Sequence, residues 1–103
     1  SKTLGSSYIS NDLNRGTVYV LKLQDNCFYI GFTNYMTLRM EQHFSGNGAV
    51  WTKKHKPISI ECEFADKTLN YENYLTEEAI KKYGYDYVRG GDHMYFAKKY
   101  GKT

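Results

Sequence analysis

Two strand-forming runs separated by only three residues constrain this chain more than anything else in it. Thr17 to Leu23 and Cys27 to Gly31 are dominated by β-branched, aromatic and aliphatic side chains, and Gln24, Asp25 and Asn26 between them are turn formers. A parallel pair would need a crossover of about a dozen residues, so the two runs must form an antiparallel hairpin. With its turn at Gln24-Asp25-Asn26, Tyr19 and Tyr29 are expected close to directly opposite each other. Cross-strand aromatic pairs commonly only stabilise a sheet. A functional pair would bring two phenol hydroxyls to one site.

The rest of the chain supplies what the hairpin must pack against. Thr33 or Asn34 can cap a helix starting near Tyr35, and Gly46 stops it. Gly46-Asn47-Gly48 is a loop, followed by a short helical turn through Val50-Trp51 and the breaker Pro57. Ile58, Ile60, Cys62 and Phe64 alternate with Ser59, Glu61 and Glu63, the pattern of a half-buried strand. Asp66 is a good N-cap for a helix running to about Tyr83, with Gly84 as its C-cap. Tyr85 to Phe96 is aromatic and broken by glycines, and its pattern assigns no element. The order β-β-α-α-β-α predicts an α+β fold, a small three-stranded antiparallel sheet flanked by helices.

With 103 residues and no internal repeat, the chain fits one domain over 16–103, and 1–15 reads as a flexible N-terminal segment or an expression leftover. An apolar fraction of 41% with 17% aromatics excludes a disordered chain. No apolar run reaches the roughly 18 residues of a membrane span, so no membrane partner is expected. The N-terminus is polar and lacks the apolar stretch of a signal peptide, and two cysteines are too few for a disulfide scaffold. An intracellular protein of cytoplasm or nucleus is therefore expected.

The position of the charge says more than its total of +3. Residues 35–57 hold Arg39, Lys53, Lys54 and Lys56 against Glu41, and the remainder of the chain balances ten basic with ten acidic residues. The same segment contains His43, His55, Trp51, Tyr35 and Phe44. A basic patch interleaved with aromatics fits a polyanion, and equally a solvated surface. In the Lys53-Lys54-His55-Lys56 run, solvation is the ordinary role, while Trp51 just before it could contact a base or sugar.

Two positions break helical patterning. On the helix predicted after Asp66, Leu75, Ala79 and Tyr83 define an apolar face, and Glu72 falls in its middle while Glu77 and Glu78 do not. A carboxylate aimed at a core must be paired, hydrogen-bonded or bound to metal. A lone carboxylate suits Mg²⁺, which keeps most of its waters. On the first helix, Met36, Met40 and Phe44 form a packing stripe, and Arg39 and His43 share the neighbouring face. Arginine can grip phosphate as a rigid fork, and histidine can move a proton near neutral pH. An exposed, purely structural face would carry the same pair. Cys27, Cys62 and the histidines have no zinc spacing, and no phosphate-binding glycine loop is present.

Taken in order, these residues resemble the GIY-YIG nuclease superfamily. Val18-Tyr19 and, ten residues on, Tyr29-Ile30-Gly31 resemble its two name-giving motifs. Phe32-Thr33-Asn34, Leu38-Arg39 and His43 resemble its helix, Ser45 to Ala49 and Thr52 to Pro57 its loop, and Glu72 its metal-binding glutamate. The resemblance covers about residues 16–84. Thr17 replaces the usual glycine of the first motif, and Val88 to His93 offers no asparagine where many members have one. The Val88-Arg89-Gly90-Gly91 segment is similar to small stand-alone members of viral, phage or mobile-element type.

The resemblance implies Mg²⁺- or Mn²⁺-dependent hydrolysis of phosphodiesters in DNA, double-stranded or branched. It implies Glu72 as metal ligand, Arg39 as clamp on the scissile phosphate, and Tyr19, Tyr29 and His43 as the groups that orient water and move protons. Either Tyr19 or His43 could then be the general base. Lys53, Lys54, Lys56, Trp51 and Arg89 would contact the nucleic acid. One such site cuts one strand, so double-strand cleavage would need a homodimer or two visits, and specificity could come from a partner. The alternatives are a nucleic-acid-binding module of this fold that does not cut, and a tyrosine-rich protein-interaction domain.

Overall fold

The computed structural model describes residues 14–91. Most of the expected N-terminal segment and the part of the expected domain beyond residue 91 lie outside the described residues. The elements run β1 (Gly16–Leu23), a 3₁₀ turn (Gln24–Asn26), β2 (Phe28–Thr33), α1 (Met36–Phe44), α2 (Val50–Lys54), β3 (Pro57–Lys67), α3 (Leu69–Tyr83), a second 3₁₀ turn (Tyr85–Tyr87) and β4 (Val88–Gly90). The architecture is α+β, as expected. The sheet has four strands rather than three, in the order β3-β1-β2-β4. β1 pairs antiparallel with β2 and β3, and the added β4 pairs parallel to β2. Three residues of Val-Arg-Gly among aromatics and glycines carry too short a pattern to announce a strand.

The hairpin turn uses Asp25 and Asn26 in left-handed conformation, at φ 65° and 62°, which these two residue types tolerate better than others. The turn centres on Asp25, because Lys22 pairs with Phe28. This corrects the expected pairing of the tyrosines. Tyr19 faces Gly31 and Leu21 faces Tyr29, so Tyr19 and Tyr29 are diagonal neighbours on one face, with ring centroids 6.2 Å apart.

Alternation along β1 and β2 then sorts the core into two layers. Tyr19, Leu21, Leu23, Cys27 and Tyr29 point to one face, covered by Met36 and Met40 of α1 with Ala49 and Trp51. Val18, Phe28, Ile30 and Val88 point to the other, covered by Tyr71, Leu75, Ala79 and Ile80 of α3. Phe28 stacks on Tyr83 at 4.3 Å and seats the last turn of that helix.

β3 is an edge strand, and its alternation is only half realised. Phe64 packs edge-on against Tyr71 and Cys62 is partly covered, but Ile58 and Ile60 are exposed beyond the reach of that helix. Asp66 is not the N-cap; Thr68 is. Asp66 lies at φ 58° where the β1–β3 register slips by one residue between Gly16 and Val18, a bulge position that a short polar side chain accepts. Arg15 donates a 2.9 Å hydrogen bond to the Asp66 carbonyl and closes that end.

α1 stops as the glycine predicts. Gly46 has φ 90°, its N–H reaches the His43 carbonyl, and the Asn47 N–H reaches the Gln42 carbonyl at 2.8 Å, a Schellman closure. A methyl group at Gly46 would meet open space, so only the backbone would resist it. Gly46→Ala should therefore lower unfolding free energy by about 1 kcal/mol, read as a reduced urea midpoint at unchanged slope.

Candidate active site

The site grows out of the Tyr19–Gly31 pair. A side chain at Gly31 would collide with the Tyr19 phenol, so glycine there lets the Tyr19 ring lie across β2. Tyr19 is fully buried and its hydroxyl lies 2.7 Å from His43 Nε2. His43, near the end of α1, is also fully buried, its ring 5.1 Å from that of Tyr29 and 5.7 Å from that of Tyr19. Its Nδ1 lies 3.0 Å from Thr52 Oγ1 on α2.

Arg39, one turn before His43, is half-buried, and its charge lowers the pKa of both the Tyr19 and Tyr29 phenols. One donor of its guanidinium reaches Gln42 Oε1 at 2.8 Å. Glu72 comes from α3, the helix on the opposite face, and is only 9% exposed. One of its oxygens accepts the Gly91 N–H at 3.3 Å, just past β4. Its charge is felt by both tyrosines. The hairpin, α1 and α3 thus bring together the five residues singled out in the sequence: Tyr19, Tyr29, Arg39, His43 and Glu72.

Burial sets the protonation of this cluster. It pushes the Tyr19 phenol well above its ordinary pKa, with neighbouring Tyr29 and Glu72 adding to the rise and Arg39 opposing it. Burial likewise raises Tyr29, again against Arg39. The two phenols hold the Arg39 proton more tightly despite its partial burial. Burial, then the Arg39 charge, lowers His43 to about 4. The sequence suggested a histidine poised near neutral pH; a fully enclosed imidazole beside a guanidinium is instead neutral at pH 7.

Two of the five residues expected to contact nucleic acid are held in packing. The Arg89 guanidinium is sandwiched between the rings of Trp51 at 4.3 Å and Tyr85 at 4.2 Å, and it donates to the Val88 and Tyr85 carbonyls. Trp51 donates from Nε1 to the Phe28 carbonyl at 3.0 Å and meets His55 edge-on. His55 in turn bonds Asp25 at 2.9 Å. This stack ties α2 to the hairpin and to β4, and engages Trp51 and Arg89 in packing. Lys53, Lys54 and Lys56 are exposed, and Lys53 and Lys56 line a groove of about 410 Å³ beside Ser45 and Gly46.

Sequence reasoning did not find Thr52, Gln42 or Gly91. Thr52 is nine residues from His43 on a separate element, so no periodicity links them. Gln42 could have been suspected from its i, i+3 spacing to Arg39. Among the described residues no group of three or more His, Cys, Asp or Glu side chains converges as a metal cluster, and no helix is long and apolar enough to cross a membrane.

Comparison with known proteins gives the family. The GIY-YIG catalytic domain matches residues 15–84. A UPF0213 protein of Bacillus cereus is 29% identical over 90 residues, covering 84% of this chain and 94% of its own length. A UPF0213 protein of Streptococcus pneumoniae serotype 4 is 32% identical over 69 residues, covering 67% and 68%. The UPF0213 protein YazA of Bacillus subtilis is 37% identical over 49 residues, about half of each chain. These relatives are bacterial and lend no support to a viral or phage source. No solved structure matches the chain. The chain belongs to the GIY-YIG catalytic domain family.

The buried neutral histidine has a consequence for stability. The unfolded chain binds a proton at His43 near pH 6.5, and the folded chain only near pH 4. The unfolded state therefore holds more protons between those values, and stability is full above pH 6.5 and falls as pH drops. By pH 5 the loss from this one group should reach about 2 kcal/mol. Urea midpoints measured from pH 7 to pH 5 should show this slope in the native protein, and His43→Gln should flatten it.

Proposed function

We propose that this GIY-YIG family member is a divalent-metal-dependent endonuclease that hydrolyses phosphodiester bonds in DNA, double-stranded or branched. The observation that carries the reading is a buried phenol, Tyr19, hydrogen-bonded to His43 Nε2 at 2.7 Å and lying within the electrostatic reach of Arg39 and the buried Glu72 carboxylate. A protein-interaction domain has no need of an arginine, a neutral imidazole and a carboxylate gathered around one hydroxyl.

Glu72 is the residue that would hold Mg²⁺ or Mn²⁺. Its carboxylate is buried on the sheet-facing side of α3, and a single carboxylate suits an ion that keeps most of its own waters. A bound divalent ion supplies stabilisation of charge at the leaving oxygen. The remaining work falls to side chains.

Arg39 has five N–H donors, so it can serve Gln42 and still fork onto the non-bridging phosphate oxygens. The Tyr19 oxygen orients the attacking water and takes its proton as its own passes to His43 Nε2. Tyr29, beside Tyr19 and under the same Arg39 charge, supports that proton transfer. Lys53, Lys54 and Lys56 meet the DNA backbone without reading sequence.

Plasmid, single-stranded, branched and RNA substrates incubated with Mg²⁺ should separate the possibilities. Cleavage of DNA that EDTA abolishes is expected; intact DNA under all metal conditions would overturn the proposal. Glu72→Gln should remove cleavage while salt-sensitive DNA binding survives. Arg39→Ala should slow cleavage by about 10²- to 10³-fold, the scale of one lost transition-state donor, in single-turnover assays.

A further inference from the structure

We infer that Thr52 is a positioning residue: its hydroxyl fixes the His43 imidazole as the Nδ1–H tautomer and so leaves the Nε2 lone pair facing the Tyr19 phenol. The catalytic consequence rests on the nuclease reading above; the tautomer does not.

The argument follows the hydrogens along one buried line. Thr52 Oγ1 sits 2.9 Å from the Ala49 carbonyl, which can only accept, so the threonine proton has a partner there. With that proton spent, Oγ1 faces His43 Nδ1 at 3.0 Å as an acceptor, and Nδ1 must carry hydrogen. The imidazole is neutral at pH 7, so Nε2 then carries none. Tyr19 completes the line. Its own proton points to Nε2 at 2.7 Å. In this arrangement every donor from Tyr19 to Ala49 meets an acceptor, and no proton meets another.

The scaffold around the line favours the same geometry. Thr52 and His43 are both essentially unexposed, so water does not compete for either nitrogen. Ala49 is N-terminal to α2 and its carbonyl also receives the Thr52 and Lys53 N–H groups, which fixes the acceptor that orients the threonine. Gly48 backs onto the imidazole, where any side chain would strike Nδ1. On the other side of Thr52, Trp51 is pinned to β2 and to Arg89.

The functional meaning is a division of labour. In the reverse tautomer Nε2–H would point at the Tyr19 oxygen and could take nothing from it. With Nδ1–H held by Thr52, His43 is a ready acceptor, the task a buried carboxylate performs for histidine in hydrolytic triads. A threonine does it without adding negative charge beside a phosphate-binding site.

The test is ¹⁵N NMR of the imidazole in the native protein at pH 7. The expected result is a pyrrole-type shift at His43 Nδ1 and a pyridine-type shift at Nε2. A pyridine-type Nδ1 overturns the proposal, whether or not the protein cuts DNA. Thr52→Val keeps the shape and removes the acceptor. It should mix the tautomers and lower kcat by about 10²-fold, the lower end of a general-base contribution, with KM unchanged, and Thr52→Ser should restore both the shift and most of the rate. A folded Thr52→Val with native tautomer or native rate refutes the role. Absence of cleavage by the native protein would remove the nuclease reading, with the tautomer still decided by the spectrum.

Discussion

The register that sets Gly31 opposite Tyr19 is the constraint on which the rest of the site depends. Strand side chains alternate with period two, so any shift of the hairpin by one residue would send Tyr19 to the face now covered by α3. In the observed register a phenol can lie flat across the neighbouring strand because its partner has no side chain. That lateral ring brings the Tyr19 oxygen to the end of α1, where His43 and Arg39 are one turn apart. The diagonal placement of Tyr29 puts a second phenol within the field of Arg39 on the same face.

The site takes parts from both layers of the core, and that requires a fourth strand. Glu72 belongs to the helix covering the opposite face, so its carboxylate must work from the side of the sheet where β2 is flanked by β4. β4 lies parallel to β2, and its end delivers the Gly91 N–H to Glu72. The residue that precedes this turn, Arg89, is locked between Trp51 and Tyr85. One aromatic stack therefore connects the segment bearing the carboxylate's donor to the short helix bearing Thr52. Burying a guanidinium between two rings is tolerable because the rings attract its charge and the Val88 and Tyr85 carbonyls accept its hydrogens.

Much of this was legible in the residues because each relevant signal was local. The hairpin, the stop at Gly46 and the apolar face of the long helix are read within a dozen residues each, and Glu72 stood out by contradicting the pattern around it. What the sequence concealed depends on relations between distant segments. The hairpin's register differs from the expected one by two positions, since Cys27 belongs with the turn. Asp66 has the chemistry of a helix cap and is used in a bulge, because the β1–β3 register slips beside it. Trp51 and Arg89 have the composition of a nucleic-acid contact. Their stacking on each other needs a parallel strand that no sequence pattern announced.

Burial explains why the phenol and the imidazole of the resting site are both neutral. Burial opposes charge on Tyr19 and on His43 alike, so the pair keeps its proton on the phenol. In the proposed reaction, moving that proton creates an anion on Tyr19 and a cation on His43. Arg39 favours the first and resists the second. The same charge lowers both pKa values, so Arg39 favours an anionic Tyr19 and keeps His43 neutral at rest. Both influences issue from α1, which carries Arg39 and His43 four residues apart.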